Sequence, residues 1–312
     1  MDKTKFYTNR KNIVLLATLC CILWGSAYPS IKIGYSLFNI DNIGSKLVFA
    51  GYRFALAGIL VLLFEAITTK NIFNFSKRQF GQITILGLTQ TALQYIFFYI
   101  GLSYTTGVRG SIINGTGTFV SIILAHFIYK NDKLNFNKII GCIIGFLGVV
   151  IVNFNGQSLE GSSFTFIGDG FVLIAAIIFA ASAIYGKKIT QTQKPSIVTG
   201  FQLFIGGVIL TILGLTLGGS LKGFTLASTS LLIYMALLSS VAFVIWTQLL
   251  KYNKVGIISV FNFLIPVFGT LLSSIFLGEN IFDIKILVAL ILVCLGIFLV
   301  YKVKKEKHQI LQ

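Results

Sequence analysis

Residues 104–122 read Tyr-Thr-Thr-Gly-Val-Arg-Gly-Ser-Ile-Ile-Asn-Gly-Thr-Gly-Thr-Phe-Val-Ser-Ile, and they open an apolar segment that runs to about Tyr129. That segment is long enough to cross a hydrocarbon layer, for which about 20 residues suffice. Its first half nevertheless carries Arg109, Asn114, Thr116, Thr118 and Ser121, with Gly107, Gly110, Gly115 and Gly117 among them. Polar groups away from water need partners, so this side of a helix must face protein or a water-filled space rather than lipid. The glycines permit close helix approach or a local break. Residues 255–274 hold Asn262 and Pro266 at the corresponding place in the other half of the chain. Two interrupted helices at matching positions of two halves are the sequence mark of a solute site near the bilayer midplane.

Composition agrees with a membrane setting. Of the 312 residues 55% are hydrophobic and 11% charged, with a mean hydropathy of +0.88; soluble domains carry about 25% charged residues. Water-soluble fold classes are therefore excluded. The net charge of +16 would ordinarily suggest nucleic acid, but the basic residues sit mainly in short loops, where they set orientation. The expected partner is the lipid bilayer, with no nucleic acid. Cys20, Cys21, Cys142 and Cys294 all fall in apolar segments without ligand spacing, so they read as small core residues and no metal site is expected. The first apolar run is too long for a signal peptide and lacks a small-residue cleavage site.

Ten apolar segments are expected at about 12–36, 45–69, 79–103, 106–129, 136–154, 167–187, 197–218, 228–251, 255–277 and 283–303. Connections are short, so neighbours run antiparallel. With the N-terminus placed inside, 19 of the 25 basic residues fall on the inner side, which makes both termini cytoplasmic at the cell membrane. Around Asp132 the first half reads Lys-Asn-Asp-Lys-Leu before a helix with Gly141, Gly145 and Gly148. Around Glu279 the second half reads Leu-Gly-Glu-Asn-Ile before a helix with Gly296. Five helices is an odd number, so a repeat of five enters the membrane from opposite sides. The expected fold is an all-α membrane protein of ten transmembrane helices in two inverted five-helix repeats. Residues 1–156 carry helices 1–5, and 157–312 carry helices 6–10 with a short basic tail.

Several residues stand out, each with a plainer reading beside the functional one. Trp24 and Tyr28 share a helix face; they read as an aromatic cavity wall, or as packing against the notch at Gly25. Pro29 frees a helix carbonyl. Arg53 lies in the body of helix 2, where a charge costs about 3 kcal/mol or more; the plainer reading is that it snorkels to the outer surface. Helix 3 carries Gln90, and its Thr91, Tyr95 and Tyr99 form a stripe at helical spacing with Gln94 beside them. Helix 8 offers Ser239, Ser240, Trp246 and Gln248, and helix 7 offers Gln202. Rings and amides together suit a small amphipathic solute, although interhelical hydrogen bonding is the simpler use. Glu65 is expected at interfacial water, His126 in packing. Asp132 and Glu279 precede helices 5 and 10 and are expected to cap them.

Leu23-Trp24-Gly25-Ser26 followed by Lys32, Arg53-Phe54, Gly168-Asp169, and Pro266 with Leu277-Gly278-Glu279 resemble in order and spacing the EamA-type members of the drug/metabolite transporter superfamily. The resemblance runs from about residue 12 to 303. It implies two inverted repeats of five helices, inner termini, and export or exchange of small metabolites such as amino acids. Two positions depart from the family pattern: Asp132 stands where a Glu is usual, and helix 4 has no proline matching Pro266.

No paired-acid site, His/Cys cluster or phosphate-cradling loop is present, so neither an enzyme nor a cofactor is expected. The reading is a secondary transporter of small metabolites, working by alternating access with proton or counter-substrate coupling, as a monomer or homodimer. A channel-like permease or a non-transporting membrane scaffold is the alternative. The expected substrate-binding residues are Trp24, Tyr28, Gln94, Tyr95, Arg109, Asn114, Trp246 and Asn262, with Arg109 drawing a carboxylate.

Overall fold

The computed structural model describes residues 3–68, 72–73, 75–105, 107–153, 164–277 and 284–302, and all regular structure among them is helical. A short helix, Lys3–Thr8, precedes α1 (Arg10–Leu37), α2 (Ile43–Thr68), α3 (Lys77–Ser103), α4 (Gly107–Ile128) and α5 (Phe136–Asn153). These are followed by α6 (Phe166–Ile189), α7 (Pro195–Thr216), α8 (Leu226–Tyr252), α9 (Val255–Phe276) and α10 (Ile284–Lys302). Among the described residues 8 helices are long and apolar enough to span a membrane. The apolar stretches of α4 and α5, Ile112–Ile128 and Phe136–Ile151, are shorter.

Local chemistry starts several of these helices. The Asn9 side chain accepts from the Lys11 N–H before α1, and reciprocal Ser76/Gln79 and Thr225/Ser228 pairs close the first turns of α3 and α8. Pro195 opens α7, where its missing N–H costs nothing. The bundle exposes Leu15, Phe64, Phe127, Ile143, Ile212 and Leu295 outward, as a lipid-facing surface requires, while Gln90, Gln94, Gln202, Ser239 and Ser240 are buried inside. The chain is a multi-pass membrane protein.

Helices α2 and α7 pack along their length, as do α5 and α10; α1 lies against α8 and α9, and α6 against α3 and α4. Two seams are glycine-lined. On α2, Gly44, Gly51 and Gly58 face Gly214, Gly207 and Gly200 of α7; a methyl group at Gly51 would meet the Thr211 Oγ1 at 2.3 Å, and one at Gly58 the Phe204 N at 2.4 Å. The glycines recur every seven residues, which keeps one face of each helix toward its partner. On α5, Gly141 and Gly148 face Gly296 and Ala289 of α10 in the same way.

Among the described residues three helices depart from regular geometry. A π-helical turn covers Gly87–Leu93 in α3 and another opens α6 at Phe166–Gly170. α9 tightens to a 3₁₀ turn at Val260–Phe263, one turn before Pro266, whose missing N–H leaves the Asn262 carbonyl without its α-helical donor. The expected interruption of helix 9 is thus present. The one in helix 4 is not: Gly107–Ile128 is a continuous helix. Its glycines serve close approach instead, as where Gly117 faces Ala176 of α6.

Candidate functional site

The centre of the bundle holds a chain of aromatic rings drawn from four helices. Trp24 of α1 lies 5.1 Å from Trp246 and 5.4 Å from Phe243, both of α8. Phe243 lies 6.3 Å from Phe54 of α2, which stands 4.4 Å from Tyr95 of α3, itself 6.0 Å from Tyr99. Most of these contacts are edge-on or tilted, the geometry that ring quadrupoles favour. Trp24 Nε1, Thr91 Oγ1, Gln94 Oε1, Asn262 Oδ1 and Tyr301 OH are buried with no hydrogen-bond partner among the described residues. Buried polar groups are ordinarily satisfied; of these atoms Trp24 Nε1 belongs to the chain of rings, whereas Thr91 packs against Gly206 of α7.

A cavity of about 950 Å³ lies at the end of the bundle that carries the N-terminal helix. Its wall includes Thr8, Tyr129, Ile184 and Ile257, four lysines (Lys187, Lys188, Lys251, Lys254) and Asp132. The acid is already neutralised: Lys138 Nζ donates to it at 2.6 Å, and its other oxygen accepts the Gly256 N–H at 2.9 Å. The cavity wall therefore carries net positive charge.

Lys187 also borders a small void of about 10 Å³ lined by Gln90, Gln202, Trp246 and Thr247, roughly the space of one water. It stands between the cavity and the rings. Its ammonium donates to the carbonyls of Leu250 (2.6 Å) and Asn253 at the end of α8, and lies 5.6 Å from the Tyr129 ring. A cation on the carbonyl end of a helix is favoured by the dipole, so Lys187 latches α6 to α8 below the aromatic core.

Of the eight expected site residues, Trp24 and Trp246 touch, and Tyr95 joins them through Phe54 and Phe243. Gln94 is buried beside Tyr95. The half-buried Tyr28 lies against Gly269 of α9, and Asn262 sits on the 3₁₀ turn. Asn114 is half-buried on α4, and none of the described ring or hydrogen-bond contacts joins it to the aromatic chain. Arg109 belongs to α4, but its side chain lies outside the described residues.

Other readings are corrected. Arg53 does not snorkel outward; it is 2% exposed, and its Nε donates to Ser239 Oγ at 2.8 Å, because α8 presents that serine across from α2. Asp132 caps α9 through Gly256 rather than its own following helix, which Asn135 caps through the Lys138 N–H. Glu65 is not left to water: it accepts from Ser196 at the start of α7 and lies 4.0 Å from Lys194. Glu279 falls outside the described residues. His126 Nδ1 accepts the Leu134 N–H at 2.9 Å, a packing role as expected.

Lys187 was absent from the expected site. Its sequence position at the end of a helix looks like that of any interfacial lysine, and only the carbonyls at the end of α8 set it apart.

Outward apolar faces, inward polar ones and a cavity at one end are features that a membrane transport protein requires. Comparison places the chain within that class. The model of the EamA-like transporter family matches residues 11–154 and again 166–302, and the chain belongs to that family. An uncharacterized transporter of Archaeoglobus fulgidus is 26% identical, over 87% of this chain and 91% of its own. The uncharacterized transporter YvbV of Bacillus subtilis is 28% identical, over 92% and 90% respectively. One solved crystal structure shares the fold with a TM-score of 0.78 at 15% identity, over 95% of this chain and 98% of the other. The protein is a membrane transporter and not an enzyme.

Proposed function

We propose that this chain is a secondary transporter that exports or exchanges small metabolites such as amino acids across the cell membrane by alternating access. The observation that carries the reading is the cavity of about 950 Å³ at one end, separated by Lys187 from a ring-lined core with unpaired polar atoms. A site reached from one side and shut from the other is what alternating access requires. Among the described residues the Trp24–Trp246 contact lies across the core, which favours a carrier over a channel-like permease.

The repeat is part of the proposal. Exchanging helices 1–5 with 6–10 turns the α1–α9 contact into α6–α4 and the α1–α8 contact into α6–α3, and returns the α2–α7 and α5–α10 pairs to themselves. The family model also matches twice, once in each half. Both observations support ten spans in two inverted units, 1–156 and 157–312. The lysine-rich end is then cytoplasmic, with both termini. The solute contacts are Trp24, Tyr28, Gln94, Tyr95, Asn114, Trp246 and Asn262, with Arg109 near the outer mouth.

Purified protein in liposomes loaded with mixed unlabelled amino acids tests this. External labelled amino acids should enter with saturable kinetics and faster than into empty vesicles. Uptake that never saturates would mean a channel, and no uptake of any labelled solute a scaffold. Asn114→Leu should cut uptake per folded molecule by about tenfold or more; full activity removes α4 from the site.

A further inference from the structure

Arg53 sits in the membrane-spanning body of α2, 2% exposed. Its Nε donates to Ser239 Oγ, and its guanidinium lies 4.9 Å from the Phe54 ring. The described carboxylates are engaged elsewhere. Glu65 takes Ser196, Asp132 takes Lys138, Asp169 takes Thr105, and Asp41 takes its neighbour Asn42. Among the described residues, then, no carboxylate neutralises Arg53.

A buried cation without a counter-ion is among the costlier features a membrane protein can keep. Holding α2 to α8 does not require it, because Ser240 Oγ already donates to the Ala57 carbonyl at 3.1 Å. What surrounds Arg53 points to a ligand. The phenols of Tyr35, Tyr95 and Tyr99 lie within electrostatic range of the guanidinium. Tyr99 is 2% exposed and its hydroxyl lies against the Arg53 guanidinium, which leaves its own O–H free to donate.

We infer that Arg53 and Tyr99 form the carboxylate-binding end of the solute site, so that the transported solutes carry a carboxylate. The inference rests on the transport reading given above. A guanidinium fork matches a carboxylate in shape and charge, a phenol adds a second donor, and Tyr95, Phe54 and Phe243 beyond them would cover an apolar substituent. The four lysines of the cavity wall favour the same sign of ligand, since a basic cleft concentrates anions.

Thermal unfolding of the purified protein in detergent is the test, with benzoate, succinate and phenylalanine each compared with benzamide, succinamide and phenylalaninamide. At saturation at least one carboxylate should raise Tm by about 2–4 °C, and its amide should not. Arg53→Met should lose that shift while its unliganded Tm stays within about 2 °C of the native protein, because the Ser239 hydroxyl keeps its bond to the Met235 carbonyl. Arg53→Lys should keep a smaller shift, a point charge replacing a fork. No carboxylate shift in the native protein, an equal shift in Arg53→Met, or a full shift in Arg53→Lys overturns the inference. So does an unliganded Arg53→Met protein that melts more than about 5 °C lower, which would make the arginine structural. Binding is read without flux. An Arg53-dependent shift in a protein that moves no solute would sink the transport reading and leave this site standing, whereas flux without any carboxylate shift would do the reverse.

Discussion

The α2–α7 seam and the space between α1, α3 and α8 are built on opposite terms. Along the seam backbone meets backbone, and a methyl group at Gly207 would fall 2.3 Å from the Ala55 nitrogen. In the centre large rings touch edge to face, and Trp24 Nε1 and Gln94 Oε1 have no partner among the described residues. Lipid is as apolar as a leucine side chain, so helices in a bilayer gain mainly from close packing and hydrogen bonds. The seam takes that gain. The centre forgoes part of it, since each unsatisfied buried group costs about 1–3 kcal/mol. Close-packed parts are therefore suited to hold the halves together, and the unsatisfied middle to exchange partners with a solute.

Three substitutions test this contrast. Lys138→Met should have the largest effect on stability. It removes the 2.6 Å partner of Asp132, whose side chain is 1% exposed, and stranding a buried charge costs about 3–5 kcal/mol. Fluorimetric melting in detergent should show Tm lower by about 6 °C or more; an unchanged Tm would break the claim that the satisfied contacts carry the stability. Gly207→Leu comes next. Overpacking costs about 1–3 kcal/mol, so Tm should fall by about 2–10 °C, and disulfide trapping between cysteines placed on α2 and α7 should weaken. Undiminished trapping would mean that the seam tolerates a wider spacing. Asn262→Leu should change stability least, because it removes an unpaired Oδ1 from α9. Its Tm should stay within about 2 °C of the native value, while uptake per folded molecule drops about tenfold. The reverse pattern, a lower Tm with full uptake, would move Asn262 into the packed class.

Much of the helical layout was legible because a hydrocarbon core demands long apolar runs. The segment expected at 197–218 is the helix Pro195–Thr216, and the one at 79–103 is Lys77–Ser103. The break in α9 could be read from Pro266, since a missing N–H acts through the chain itself. Residues 104–122 misled in part: glycines allow a break without causing one, and in α4 neighbouring helices fill the space beside them. Asp132 was recognised as a cap but assigned to the nearer helix, because only chain distance is visible in a sequence; Gly256 lies 124 positions away.

The site divides the same way. Aromatic and amide residues on α1, α3 and α8 were recognisable by helical spacing, and Trp24, Tyr95 and Trp246 do meet in one run of rings. Arg53 was not recognisable as an inward residue, because its distance from the helix end allows either direction and the choice depends on Ser239 of α8. Lys187 looked like one more loop charge until the end of α8 supplied two carbonyls for it.

Apolar length, glycine spacing and the placement of lysines thus settle, without reference to any contact, that this chain lives in a membrane and which stretches become its helices. Each of those depends on neighbours within a few turns or on the solvent. Which helix meets which, whether Arg53 turns in or out, and which polar atoms are left unpaired were decided only when distant segments packed together. The physical reason is that periodicity along one helix states which face is polar but carries no information about the partner that satisfies it.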